Sequence, residues 1–101
     1  MNKEELSYIK ELKTDKSAYE YVDADFGVVR LLIVYRGERL YFQIGNEAII
    51  CEISARDSIL SKKSLKKWDN GRALDESERE RIAEIISKYY KLSYKDDLIV
   101  V

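Results

Sequence analysis

Histidine and proline are both absent from this 101-residue sequence, and cysteine occurs only once. Without histidine, the sequence lacks the commonest general acid or base of enzymes and the commonest metal ligand. The single cysteine, Cys51, cannot form an internal disulfide, so nothing favours an oxidising compartment. Cys51 also lies in an apolar alternation, which favours a buried side chain over an activated nucleophile. We therefore expect no enzyme, no catalytic residue, no metal site and no cofactor.

Long apolar runs are missing as well. No segment approaches the roughly 18 apolar residues of a membrane span, and the first residues lack the basic-then-apolar pattern of a signal peptide. The formal net charge is −1, from 18 basic and 19 acidic residues, so the total charge does not favour nucleic acid or an anionic membrane. We expect one domain, residues 1–101, in the cytoplasm and without a membrane contact.

The clearest pattern that is present predicts an amphipathic helix near the C-terminus. Asp75 with Glu78 three residues later is typical of a helix N-cap and its reciprocal partner. A helix of this length is marginal in water by itself, so its apolar stripe needs a partner surface. The stripe has the spacing i, i+3, i+4 and i+7 and consists of Ile82, Ile85, Ile86 and Tyr89.

Apolar segments separated by glycine-containing turns predict the partner sheet. Residues 28–35, 39–44 and 47–53 form a three-stranded meander in this interpretation, although a helix from residue 47 is an alternative for the third segment. A fourth strand at 19–22, a terminal strand at 98–101, a helical turn around 65–68 and a short helix within 1–17 complete the prediction. The expected fold class is α+β: an antiparallel β-meander of three to four strands, one long C-terminal helix packed across it, and a terminal strand.

Two charged segments are candidate binding surfaces. The first interleaves tyrosine with acidic residues, a composition that suits docking of a basic partner, although an ordinary edge strand has the same composition. The second lies between Arg56 and Arg72, where six basic and two acidic residues give a local charge of +4. Such a charge suits phosphate contacts, and a solvated basic face is the alternative. The first surface comprises Tyr19, Glu20, Tyr21, Asp23 and Asp25, and the second is centred on Lys62, Lys63, Lys66 and Lys67.

Short motifs from residue 37 onward occur in the order of a known family. They are Gly37-Glu38-Arg39, Gln43-Ile44-Gly45 with Glu47, Ser64-Leu65-Lys66-Lys67-Trp68 with Asp69-Asn70-Gly71, and Leu74-Asp75 opening a helix that contains Glu78-Arg79-Glu80-Arg81-Ile82 and Ile85-Ile86. This order resembles a family of small bacterial immunity proteins, immunity protein 74, which are associated with polymorphic or contact-dependent toxin systems. The sequence departs from the family at Gly71, where a proline often follows the tryptophan.

The resemblance implies a non-enzymatic binding protein that neutralises a cognate bacterial toxin by masking it. Its partner would be a toxin domain, and we expect a basic one, because such toxins often act on nucleic acid or its precursors. The alternative is a nucleic-acid-associated or phage-type regulatory protein that uses the Arg56–Arg72 stretch. The two hypotheses place the binding surface on different segments of the chain, so they are separable by mutation.

Overall fold

A six-stranded sheet carries one helix on each face in the computed structural model, which describes residues 3–101. The helices are α1 (Lys3–Leu12) and α2 (Glu76–Tyr94), and the strands are β1 (Tyr19–Asp23), β2 (Gly27–Val34), β3 (Arg39–Ile44), β4 (Glu47–Ser54), β5 (Ile59–Leu60) and β6 (Ile99–Val100). The strands lie in sequence order, and the pairing is antiparallel except between β5 and β6. The predicted α+β class, with its meander, long C-terminal helix and terminal strand, is confirmed. The sheet has six strands, one more than a four-stranded meander with a terminal strand, because the two-residue β5 is too short to show a periodicity.

The predicted helix and its buried face are confirmed in α2. The Asp75 carboxylate accepts a hydrogen bond from the Glu78 N–H at 2.8 Å, which satisfies one of the free donors at the helix start. At the other end, Lys95 adopts a left-handed conformation with a φ of 59° and closes the helix. The main core lies between α2 and one face of the sheet, and its members include Leu31, Leu40, Phe42, Ile49, Cys51, Ile82, Ile85, Ile86 and Tyr89.

The opposite face of the sheet is covered by α1, which the sequence predicted as a short helix within residues 1–17. Residues 1 and 2 of the predicted stretch lie outside the described residues. Ile9 and Leu12 of α1 are buried, whereas Leu6, one turn earlier, is exposed. The second core is small because the helix has only ten residues, and its buried members are Ile9, Leu12, Val34, Tyr41, Ala48 and Ile50.

A buried arginine joins the end of α1 to the sheet. Arg30 is 6% exposed, and its Nη1 donates to Leu12 O at 2.9 Å and reaches Gln43 Oε1 at 3.3 Å. The guanidinium also donates to the carbonyls of Lys13 and Asp15. These carbonyls end or follow the helix, and two of them also accept a long backbone hydrogen bond, Leu12 O from Asp15 N at 3.2 Å and Asp15 O from Ala18 N at 3.4 Å. Arg30 therefore adds a charged donor to the carbonyls where α1 ends.

The helical turn expected around residues 65–68 is wrong in its position. The structure has a turn of 3-10 helix at Lys62–Ser64, and the chain then becomes extended. Trp68 N donates to Arg72 O at 3.0 Å, and Leu74 N donates to Lys66 O at 2.9 Å. These bonds run across the loop instead of along a helix, and they let Trp68 reach the main core.

Candidate partner-binding surfaces

The first predicted surface lies on β1, and alternation along the strand divides it between the two faces of the sheet. Tyr21 is half-buried on the α2 side, where its hydroxyl lies 2.8 Å from Ser93 Oγ and its ring 4.9 Å from that of Tyr89. Tyr19 is on the same side, with its ring 5.0 Å from that of Tyr94. These contacts fasten β1 to α2. Tyr21 is therefore mainly a structural residue of the interface between β1 and α2.

Asp23 is also engaged by the fold. Its carboxylate accepts hydrogen bonds from the Tyr89 hydroxyl and from the N–H groups of Asp25 at 2.9 Å and Phe26 at 3.1 Å. The Tyr89 hydrogen bond is the main cause that lowers the pKa of Asp23 to about 2, and Lys88 Nζ, 3.6 Å away, acts in the same direction. The same hydrogen bond raises the pKa of Tyr89 to about 12. The Asp23 charge thus stabilises the hairpin turn and its contact with α2.

The remaining members of the first surface are exposed. Tyr19 is 41% exposed, Asp25 is exposed in the turn after β1, and Glu20 lies on the α1 side of the strand. Arg30 Nε is 3.2 Å from Glu20 Oε1, close enough for charge attraction although the geometry does not make a hydrogen bond. Val22, which sequence reasoning missed, is 82% exposed. The alternation along β1 could have identified it, because Val22 shares a face with Glu20.

We call these four exposed residues, Tyr19, Glu20, Val22 and Asp25, the β1 edge surface. It combines an aromatic ring, an aliphatic side chain and a carboxylate on β1 with a second carboxylate, that of Asp25, in the turn that follows. Among the described strands, β1 pairs only with β2. An arrangement of this kind can contact another protein through both side chains and backbone.

The second predicted surface is divided in the structure. Lys62 forms an ion pair with Glu80 of α2, so this lysine points toward the main helix. Within the part of the chain that the structure describes, Lys63, Lys66 and Lys67 form no ion pair and are exposed. The helical turn predicted around residues 65–68 would have brought these four lysines to one side, but the observed turn ends at residue 64 and does not group them.

Arg72, at the end of the basic stretch, is also neutralised by ion pairs. Its guanidinium contacts Glu47 at 2.9 Å and Glu78 at 2.9 Å. Hydrogen bonds to Glu47 and Glu78 raise the pKa of Arg72, and the Arg72 hydrogen bond is the main cause that lowers the pKa of Glu47. The local charge that the sequence suggests is thus smaller at the surface than a count of residues implies.

Two of the lysines line an open groove beside α1. The groove has a volume of about 360 Å³, and its charged lining consists of Lys63, Lys66, Arg39, Glu5 and Glu52. Tyr35, 51% exposed, lines a pocket that adjoins the groove at Arg39. We call this feature the α1 groove. The groove contains acidic as well as basic side chains, so it attracts phosphate less strongly than a uniformly basic surface would. Such a mixture suits a polar partner.

The loop that presents Tyr35 has an uncommon backbone. Tyr35 and Arg36 have φ values of 51° and 57°, both in the left-handed region that residues other than glycine rarely adopt. Gly37 follows with a φ of 93°, which only glycine adopts readily. The Tyr35 ring packs edge-on against Tyr8 of α1 with the centroids 5.4 Å apart. This contact offsets part of the backbone strain and fixes the position of the aromatic ring.

Cys51 lies inside the main core. Its Sγ donates a weak hydrogen bond to Leu40 O at 3.6 Å, and burial raises the pKa of the thiol to about 12. A thiol in this environment is protonated at neutral pH. The position therefore agrees with the expectation of a buried small hydrophobic residue.

Comparisons of the chain with family models, with curated proteins and with solved structures find no match. Neither of the two described helices combines the length and the apolar character needed to cross a bilayer. The function is therefore argued from the surfaces alone.

Proposed function

We propose that the chain is a non-enzymatic binding protein of the immunity type, which neutralises a cognate bacterial toxin in the cytoplasm by masking it. The observation that supports this proposal is the β1 edge surface. Tyr21 and Asp23 fasten the strand to α2 from one side, and the neighbouring Glu20 and Val22 stay exposed on the other. A rigid surface loses little conformational entropy when a partner binds, so its contacts contribute more fully to affinity.

The composition of the surface assigns different effects to its parts. Carboxylates at the rim mainly accelerate association with a basic partner, because long-range attraction steers the encounter. Glu20 and Asp25 have this role in the proposal. Tyr19 and Val22 supply contact area, and loss of such area mainly accelerates dissociation.

The proposal predicts that a gene next to that of this chain encodes a toxic domain. The test uses the product of that neighbouring gene, in a catalytically inactive form for binding and in an active form for growth. Co-expression of the chain with the active domain is expected to restore growth. The double substitution Glu20→Gln and Asp25→Asn removes two negative charges. It is expected to lower the association rate and to flatten the dependence of that rate on salt, with a nearly unchanged melting temperature. The matched control is Glu4→Gln with Glu84→Gln, which removes the same charge from exposed positions on α1 and α2. Failure of the wild-type chain to bind the domain or to restore growth would refute the proposal.

A nucleic-acid-associated regulator is the second candidate, and the α1 groove favours it. Arg39, Lys63 and Lys66 line that groove, and the exposed Tyr35 ring in the adjoining pocket could stack on a base. Glu52 in the same groove opposes a phosphate backbone. Changing Lys63, Lys66 and Lys67 to glutamine would separate the candidates in a fluorescence anisotropy titration with labelled single-stranded and duplex nucleic acid. The regulator is favoured if the wild-type chain binds nucleic acid but not the toxin, and if the triple lysine variant weakens that binding while the Glu20 and Asp25 variant does not.

A further inference from the structure

The hydrogen-bond directions in β2 determine which backbone groups of β1 are free. Val28 faces β3, because its carbonyl accepts a hydrogen bond from Gly45 N at 2.9 Å. Ile33 faces the opposite way: just beyond the end of β1, its N–H donates to the Tyr94 hydroxyl at 2.9 Å. Directions alternate along a strand, so the odd-numbered residues of β2, such as Leu31, face β1.

Two residues of β1 therefore turn their N–H and C=O groups away from the sheet. Tyr21 lies opposite the odd-numbered Val29 and faces β2. Its neighbours Glu20 and Val22 face outward, and within residues 3–101 no strand lies on that side of β1. Two outward donors and two outward acceptors at this spacing form the template to which an added antiparallel or parallel strand bonds.

We propose that the toxin partner adds an extended segment to β1 as a seventh strand of the sheet. This inference rests on the proposed function and specifies how the β1 edge surface binds. The segment has an apolar residue that packs on the exposed Val22, which extends the exposed apolar pair that Val22 forms with its cross-strand neighbour Val28. Lysine or arginine residues on either side of it approach Glu20 and Asp25, so the segment is basic at its ends and apolar at its centre.

The usual protections of an edge strand are weak in β1. Such strands are commonly guarded by proline or by charged side chains that repel an added strand. The sequence has no proline, and the Asp23 carboxylate is held by Tyr89. The charged groups that remain, Glu20 and Asp25, are both acidic, so they oppose an acidic strand but not a basic one. The other edge of the sheet is β6, which has only two residues, whereas β1 has five.

A second copy of this chain fits the edge less well than a basic segment. Antiparallel pairing of β1 with its own copy around Tyr21 would place Glu20 opposite the copy's Val22, and the two Glu20 carboxylates would be diagonal neighbours on one face. A second copy therefore offers these carboxylates no opposite charge, and the diagonal carboxylates repel each other. A basic partner strand converts the same carboxylates into attractive contacts, so charge complementarity favours the toxin segment.

The test compares two substitutions at one position. Val22→Pro removes an outward N–H without breaking a bond to β2, and Val22→Ala is the matched control that keeps the N–H and loses most of the side chain. With the inactive toxin domain as the probe, Val22→Pro is expected to weaken binding about tenfold more than Val22→Ala, the change expected for one lost hydrogen bond. Hydrogen exchange measured by NMR is expected to slow at the Glu20 and Val22 amides when the domain is added. The melting temperatures of both variants are expected to stay close to that of the wild type.

Each outcome decides between mechanisms. Equal binding by the two variants, with unchanged exchange at Glu20 and Val22, would overturn strand addition but leave the proposed function intact if the wild type still binds. A wild-type chain that does not bind the domain would overturn both. A wild-type dimer in sedimentation that Val22→Pro converts to a monomer would show that a second copy occupies the edge, and would also overturn the inference.

Discussion

The two faces of the sheet are stabilised in different ways. On the α2 side the buried residues are almost entirely apolar, and Leu31, Phe42 and Ile86 are fully buried. On the α1 side a polar network lies among the apolar residues: Arg30 contacts Gln43, and Gln43 accepts a hydrogen bond from the Tyr41 hydroxyl. One face depends on shape and buried area, whereas the other also depends on the direction of hydrogen bonds.

The difference explains why two helices of unequal length can both remain in place. α2 has 19 residues and buries a continuous stripe, so its packing alone is extensive. α1 has ten residues, and only Ile9 and Leu12 are fully buried. A helix with so little buried area needs additional attachment. Arg30 supplies it at the C-terminal end, and Lys13 adds an ion pair with Asp69 at 2.7 Å.

The largest expected effect tests the apolar face. Ile86→Ala removes a fully buried side chain under α2, and we expect it to lower the free energy of unfolding by about 2–5 kcal/mol through lost transfer energy and a residual cavity. Glu84→Ala on the exposed side of the same helix is expected to change it by no more than about 0.5 kcal/mol. Urea denaturation of both variants provides the measurement. Similar losses at the two positions would show that the main core does not depend on this stripe.

The second prediction tests the polar face. Arg30→Met keeps an unbranched side chain but removes the donors to the carbonyls at the end of α1, and we expect a loss of about 1–3 kcal/mol. Arg56→Met is the control, because Arg56 is exposed. Amide exchange is expected to accelerate first in α1 and only later in α2. Uniform acceleration in both helices would contradict a specific role of Arg30 in attaching α1.

The third prediction concerns acid and the contact between β1 and α2. The folded state lowers the pKa of Asp23 from 3.8 to about 2, so it binds this proton less tightly than the unfolded state. The resulting stabilisation is present above about pH 4 and is lost as the pH falls through about 2. Tyr89→Phe removes the hydrogen bond that is the main cause of the shift. We expect the difference in unfolding free energy between wild type and variant to be constant near neutral pH and to shrink below pH 4.

A titration of the Asp23 carboxyl by NMR checks the same prediction directly. Its pKa is expected to rise in Tyr89→Phe toward the ordinary value. Tyr94→Phe is a matched control, because Tyr94 has no hydrogen bond to Asp23 and bonds instead to Ile33 N. A pKa of Asp23 that stays at its wild-type value in Tyr89→Phe would show that other groups hold the carboxylate.

Sequence patterns predicted the α2 face of the molecule better than the α1 face. Ile82, Ile85 and Ile86 repeat at helical spacing, and the alternation in β3 places Leu40 and Phe42 on the same side. These periodicities are consequences of burial on one side. By contrast, Arg30 is read as a surface residue from its type, and nothing in the local sequence shows that the end of α1 will lie above it. The burial of Arg30 depends on contacts distant in sequence, which a periodicity does not report.

The candidate surface was predicted only in part, because the roles of its residues also depend on contacts that are distant in sequence. The segment 19–25 could be chosen from its composition, but the roles of its members depend on which way the strand faces α2. Tyr21 and Asp23 turn toward the helix, whereas Glu20 and Val22 turn away. The register with β2 fixes this division, and the register is set by the turn ending at Gly27, with a φ of 75°. For the lysine stretch, the extended backbone after residue 64 separated side chains that a helical turn would have grouped.

The last prediction, which concerns the smallest expected difference, compares how readily the α2 side and the α1 side of the sheet open. Cys51 is buried on the α2 side, and its raised pKa of about 12 keeps the thiol protonated, so labelling by a thiol reagent is expected only when the whole molecule unfolds. Ala48→Cys in a Cys51→Ala background places the thiol under α1 instead, at a position that is also fully buried. The two core substitutions lower the overall stability, so each labelling curve is compared with the unfolding midpoint of the same protein. Because α1 is attached through few residues, we expect the thiol at position 48 to react further below its midpoint than Cys51 does. Equal labelling of the two thiols relative to these midpoints would mean that α1 and α2 open together and that the two faces form one cooperative unit. Fast labelling of Cys51 in the native state would instead reveal an accessible, activated thiolate and would contradict the expectation that the chain is not an enzyme.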